Sequence, residues 1–190
     1  MGPYVTNLQK TSEMATVAPN ATVPSVMAAA KSVLSEAQIE SGVAVIDFGG
    51  ATTSVAVFEE GDLQYVGVVP VGGANITNDL AIGLKTDPEI AEKVKLQHGS
   101  AVPRKASEGV SVKQDKEVLT FNTEEIDEII EARLEEIFDA VNKELKKAGR
   151  AGRLPSGVVL VGGSANLKGI AEFAKNHLGV AARVGKAAGF

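Results

Sequence analysis

The sequence predicts an α/β fold: a sheet of buried strands covered by helices, with a smaller inserted unit. Residues 43–46 are apolar throughout, which reads as a strand buried on both faces. The runs 43–48, 54–60 and 63–71 are divided by short glycine-bearing turns, the mark of an antiparallel meander. Residues 123–148 carry Ile126, Ile129, Ile130, Leu134, Ile137, Phe138, Val141 and Leu145 on one helical face.

In chain order, residues 1–20 are a polar lead-in with a short helix over Asn7–Ala15. Residues 21–26 read as a short strand with Pro24 marking an edge or a strand end, and 27–38 as one helix with the stripe Met27, Ala30, Val33 and Leu34. The meander follows and closes at Gly72-Gly73. Helices are predicted over 76–84, with Asn75 or Thr77 near the start, and over 88–98, with Pro88 in the first turn and Gly99 as the stop. Short strands at 110–113 and 117–121 precede the long helix, for which Thr123 is the expected capping box. A strand at 156–161, a helix at 166–178 and a strand at 181–184 complete the chain.

Composition narrows the function. The chain is 44% hydrophobic but only 4% aromatic, so Val, Ile, Leu and Ala must build its core. A net charge of −5 without a basic block speaks against a nucleic-acid partner. The absence of cysteine excludes disulfides and thiolate metal sites and fits a reducing cytoplasm. No charged leader precedes an apolar run, and no apolar run approaches the ~18 residues of a membrane span, so the chain reads as soluble and intracellular. His98 and His177 read as a helix-end residue and a surface residue, not as metal ligands.

Chemistry concentrates in the glycine turns. Three strands end in Gly-Gly, at 49–50, 72–73 and 162–163. Two of them, DFGGATTS and VVLVGGSAN, share one pattern of buried strand, glycines and small hydroxyl residues. Glycines let backbone N–H groups approach an anion, and Asp47 beside such a turn suits Mg²⁺ held through water. The helix expected near Asn166 would aim its amides at the same place. For residues 42–57 alone, the plainer alternative is a β-hairpin with a Gly-Gly turn.

These segments, with VPVGGANITNDLAIGLK, AEKVKLQHGSA and IIEARLEEIFDAVNKEL, resemble the second half of the FtsA family, the cell-division actins of bacteria. The likeness runs from about Ala21 to the end. It implies half of an actin-like ATPase fold: residues 21–72 and 156–190 as subdomain 2A, an RNase-H-like mixed sheet with helices, and 73–155 as the inserted α+β subdomain 2B. It further implies ATP with Mg²⁺ as ligand. Asp47 would hold the metal through water, Gly49, Gly50, Ala51 and Thr52 would form the second phosphate loop, and Gly162, Gly163 and Ser164 the adenosine motif. Glu92 and Lys95 would hold ribose and adenine, where spacing alone gives an ordinary i,i+3 ion pair. Arg133, with Glu136, would receive the C-terminal tail of FtsZ; the alternative is a solvated charge bridging Glu136 or Glu131. The resemblance implies a cytoplasmic scaffold of the septal ring at the inner membrane. A PilM-like pilus scaffold, and half of an actin-like phosphotransferase, are the alternatives.

Departures from the family pattern qualify this. Ala51 stands for the third glycine of Asp-x-Gly-Gly-Gly-Thr-Thr-Asp and Ser54 for its last aspartate. Ser25-Val26 replaces the Glu-Pro that orients the attacking water in many relatives, and a serine cannot serve as a carboxylate base. The family's first phosphate loop, its 1C subdomain and its C-terminal amphipathic membrane helix have no counterpart in these residues, so this chain alone is expected neither to hydrolyse ATP nor to hold it tightly. Strand ends left uncovered would favour a homodimer or weak actin-like self-association.

Overall fold

The computed structural model describes residues 2–114 and 117–187; Met1 and residues 188–190, at the ends of the expected lead-in and last segment, lie outside it. β1 (Val43–Phe48), apolar but for Asp47, is the middle strand of a five-stranded mixed sheet. β2 (Thr53–Glu59) and β3 (Asp62–Val69) continue from it as the antiparallel meander, since their connections are too short for anything else. On the other side β6 (Val158–Val161) lies parallel to β1, and β7 (Ala182–Val184) parallel to β6. The order is β3-β2-β1-β6-β7, and the long crossover that a parallel neighbour needs carries the inserted elements.

Side chains alternate across a strand, so Ala44, Ile46 and Phe48 enter one core and Val43 and Val45 another. The larger core is roofed by α4 (Gly73–Gly83), α5 (Pro88–His98), α6 (Thr123–Lys147) and α7 (Ile170–Leu178). The smaller is closed by α2 (Ser25–Val33) and by Ile39 of α3 (Glu36–Ser41). The stripe of α6 lies as its spacing predicts: Ile126, Ile130, Leu134, Ile137, Phe138, Val141 and Leu145 are buried, and Ile129 is half-buried at its edge. Phe138 ties the layers together, its ring edge-on to Phe48 at 6.2 Å and to Phe173 at 5.4 Å. A separate hairpin, β4 (Gly109–Gln114) and β5 (Glu117–Asn122), sends Val112 into the same core.

Several expectations are corrected. The helix in the lead-in, α1, spans Gly2–Met14 and buries no residue. Residues 21–24 form no strand; they are exposed, and Pro24 O accepts from Met27 N at 3.0 Å to open α2. The single helix over 27–38 is two, because Ser35 and Gln38 form a capping box: Gln38 N donates to Ser35 Oγ at 3.3 Å and Ser35 N to Gln38 Oε1 at 3.1 Å. α4 starts earlier than predicted, at Gly73, with Gly72 N donating to Asn75 Oδ1 at 3.0 Å. The cap of α6 is Asn122, whose Oδ1 accepts from Glu124 N at 2.9 Å, while Thr123 Oγ1 takes Glu108 N at 3.0 Å. The helix over 166–178 is a 3₁₀ turn, Gly163–Asn166, followed by α7 from Ile170. Gly169, at φ 78°, re-aims the chain between them. α7 therefore begins four residues after Asn166, where its start was expected.

Phe138→Ala, at the junction of three aromatic rings, is expected to cost about 3–5 kcal/mol of unfolding free energy. The midpoint of urea unfolding at unchanged slope measures it; a loss under ~1 kcal/mol would show that Phe138 does not join the layers.

Candidate functional site

Beyond β1 the chain reverses through Gly49–Thr52, and the reversal is held from outside. Gly49 O accepts from Gly73 N at 2.9 Å and from Ser164 Oγ at 3.1 Å, and Gly50 O accepts from Ala74 N at 2.8 Å. The carbonyls of the loop thus satisfy the first, otherwise orphaned, amides of α4. The amides of Gly50, Ala51 and Thr52 donate to no acceptor among the described residues, and all three residues are exposed. Consecutive unspent amides form a seat for an anion.

The close approach explains the glycines. A Cβ on Gly72 would lie 2.6 Å from both Gly49 O and Gly50 O. On Gly162, at φ 90°, it would lie 2.6 Å from Asp47 Oδ1 and from Phe48 O. A Cβ on Gly73 would collide with Ser164 Oγ. All three Gly-Gly turns therefore meet in one place. The pair at 72–73, which does not share the pattern of the other two, is the one whose helix start spends the loop carbonyls.

Asp47 stands half-buried at this junction, and Ser25 Oγ donates to its Oδ2 at 3.4 Å, so the first residue of α2 reaches the site. Ser54 is its direct partner across β1 and β2. One carboxylate with hydroxyl neighbours suits a hydrated Mg²⁺ held through its waters, since that ion sheds water reluctantly. Among the described residues no group of three or more His, Asp or Glu is placed to hold a metal directly.

Glu92 and Lys95 join the site through α5. Their ion pair measures 2.7 Å, and Lys95 Nζ also donates to Thr77 Oγ1 at 2.7 Å and Gly73 O at 3.1 Å. Thr77, buried on α4 and missed in the sequence, donates to Glu92 Oε2. Partial burial pushes the Glu92 carboxyl up, but hydrogen bonds from Lys95 and Thr77, with the Lys95 charge, hold it below the usual range. Two hollows flank Lys95, Leu96, Gly73, Gly163 and Ser164. One of about 340 Å³ extends past Asn166 and Leu167 to Arg104, and one of about 800 Å³ opens over Gly50, Ala74 and Glu92.

Arg133 and Glu136 lie apart from this site. Arg133 grips Asp79 of α4 with Nε at 2.5 Å and Nη2 at 3.0 Å, and Glu136 with Nη1 at 2.5 Å. Its partner is therefore Glu136, as one alternative had it, together with Asp79, which lies 54 positions away in sequence and left no signal there. The cluster borders a surface hollow lined also by Ile82 and Ile129.

Residues 44–189 match the family model described as cell division protein FtsA. The chain belongs to the FtsA family. FtsA of Bacillus subtilis is 44% identical over 156 residues, which cover 80% of this chain and 35% of that protein. FtsA of Pseudomonas aeruginosa is 34% identical over 163 residues, covering 84% and 39%. The chain thus spans well under half the length of these curated relatives. Among solved structures, MreB5 of Spiroplasma citri bound to ADP superposes with a TM-score of 0.80 at 20% identity, over 95% of this chain and 59% of that one. The PilM–PilN type IV pilus biogenesis complex gives 0.59 at 22% identity, over 78% and 38%. These likenesses establish the actin-like fold, and the family match favours FtsA over the PilM alternative.

Gly162→Ala places a methyl group against Asp47 and Phe48 at a backbone angle that favours glycine. It is expected to cost about 1–3 kcal/mol from backbone strain alone. Thermal or urea unfolding checks it, and a neutral result would mean that the 162–163 turn is free to relax.

Proposed function

We propose that this FtsA-family chain forms one wall of a nucleotide site and, on a separate surface, a receptor for an acidic peptide segment. The observation that carries the first part is the set of unspent amides at Gly50–Thr52 beside Asp47. Phosphates of ATP would lie on Gly49, Gly50, Ala51 and Thr52, with Mg²⁺ held through water by Asp47. Gly162, Gly163 and Ser164 would border the nucleoside, and Glu92 would meet its sugar. That MreB5 of Spiroplasma citri is bound to ADP supports the reading by fold. The division into subdomain 2A, residues 21–72 and 156–190, and inserted subdomain 2B, residues 73–155, belongs to the same reading. It puts the site where the two meet.

Hydrolysis is not part of what these residues do. Ser25, the group nearest Asp47 from α2, offers no carboxylate to orient a water. The reading is instead a scaffold for cell division, acting at the septum from the cytoplasm.

The peptide receptor is the Arg133 cluster, and its occupant is the C-terminal tail of FtsZ. Asp79 and Glu136 now hold the guanidinium, so an incoming carboxylate must displace one of them. An acid-for-acid exchange on a small surface gives modest, salt-sensitive affinity, on the order of micromolar to tens of micromolar.

Two measurements test the proposal. Phosphate release from ATP·Mg²⁺ by the wild type should equal that of Asp47→Ala; release well above that control contradicts the scaffold reading. In fluorescence anisotropy with a labelled FtsZ tail peptide, Arg133→Ala should weaken binding at least several-fold. Asp79→Asn, which loosens the internal grip, should strengthen it. Equal binding by all three proteins rules out the receptor.

A further inference from the structure

Four buried side-chain atoms have no hydrogen-bond partner among the described residues, and three of them belong to His98, Arg104 and Asp127. These residues are neighbours. Arg104 Nη2 donates to His98 O and stands 3.5 Å from Asp127 Oδ1, out of line for a hydrogen bond. Asp127 is 7% exposed, and the Arg104 side chain 20%. An arginine that meets a carboxylate squarely makes two short bonds, as Arg133 does with Asp79. Here Nη1 and Oδ1 are both left unserved, so the desolvation of the two groups is poorly offset.

The contact matters because of what it holds. The chain between α5 and β4 is tied at both ends: Ala101 N donates to Lys168 O at 2.8 Å, and Glu108 N to Thr123 Oγ1 at 3.0 Å. Between them, residues 103–106 make no backbone–backbone hydrogen bond among the described residues, and Arg104 is their link to α6. Arg104 also lines two hollows of about 340 Å³ each. One is the hollow beside Lys95 and Lys168; the other is walled by Pro103, Lys105, Asp127 and Glu128. No other described residue borders both, so the guanidinium is the partition between them.

We propose that Arg104 is a gate between these hollows: the charge of Asp127 holds it shut, and loss of that charge lets residues 103–106 leave α6 and join the two hollows. The inference concerns the walls of the site and stands whatever ligand fills it. Without the carboxylate charge, Arg104 keeps only His98 O, and its unserved Nη1 gains from reaching water. Burial pushes the Asp127 carboxyl up, and the Arg104 charge and amide, then the Lys168 charge, pull it partly back. Lys105 borders the same hollow from the loop, and Glu124, Glu128 and Glu131 border it from α6. A carboxyl raised on folding binds its proton more readily in the folded chain than in the unfolded one. Acidification through that value therefore stabilises the fold at Asp127 while it releases Arg104. The gate opens in a folded chain.

Amide hydrogen exchange on the full chain without nucleotide, each rate divided by its chemical rate at that pH, tests the gate. In the wild type the amide of residue 104 should be protected at about pH 7 and lose about tenfold or more of that protection by about pH 4.5. The amides of Val45 in β1 and Leu134 in α6 should keep theirs. Asp127→Asn should show the low protection at both pH values, and so should Arg104→Gln. Four results overturn the proposal: a wild-type residue 104 unprotected at the higher pH, one equally protected at both, Asp127→Asn protected like the wild type, or Val45 and Leu134 losing protection in step. Should Asp127→Asn not fold, Arg104→Gln decides, and protection like that of the wild type at both pH values overturns the gate.

Discussion

The contact on which the rest of the site depends is the pairing of Gly49 O and Gly50 O with the first amides of α4. A helix start has orphan N–H groups, and a reversal at a strand end has orphan carbonyls; here each satisfies the other. The direction of the pairing matters. With carbonyls turned into the protein, the amides of the next three residues are left for solvent or ligand. The same contact dictates composition, because backbone must meet backbone at hydrogen-bond distance. Gly72, Gly73 and Gly162 each stand where a methyl group would strike a carbonyl or side-chain oxygen. The glycine content of the site thus follows from packing, and the row of unspent amides follows from what the packing leaves unused.

α4 extends that contact in two directions. Its first half carries Gly73 and Thr77, which meet Lys95 and Glu92 of α5. Its second half carries Asp79, which holds Arg133 of α6. One helix of eleven residues therefore contacts the loop, the Glu92–Lys95 pair and Arg133. Asp127, buried on α6, stands apart from all three; burial pushes its carboxyl up, and the Arg104 charge pulls it partly back. That pair ties the loop after α5 to α6 at 3.5 Å.

How much of this the sequence disclosed follows from the range of each signal. The central strands, the meander and the stripe of α6 were legible because alternation and 3.6-residue spacing are local patterns with one solution. The Asp47 and Gly49-Gly50 turn was legible for the same reason. The break at Ser35 was written in local code as well, a serine with glutamine three residues on, but the unbroken apolar stripe of 27–34 masked it. Thr77 and Asp79 could not be found this way. Each acts through a partner 15 to 54 positions distant, on a helix whose sequence specifies only which side faces the core. The false start of α7 at Asn166 has another cause. Leu167, Lys168 and most of residues 170–175 favour helix, and it is the left-handed Gly169, with Ala101 N bound to Lys168 O at 2.8 Å, that delays it.

The most direct test of the central claim is a ¹H–¹⁵N map of the chain during titration with ATP·Mg²⁺. The amides of Gly50, Ala51 and Thr52 are expected to move furthest and together, while those of Gly73 and Ala74, already spent on the loop, move little. Large shifts at Gly73 and Ala74 with Gly50–Thr52 unmoved would contradict it, because the loop would then present its carbonyls, and no anion would be held there.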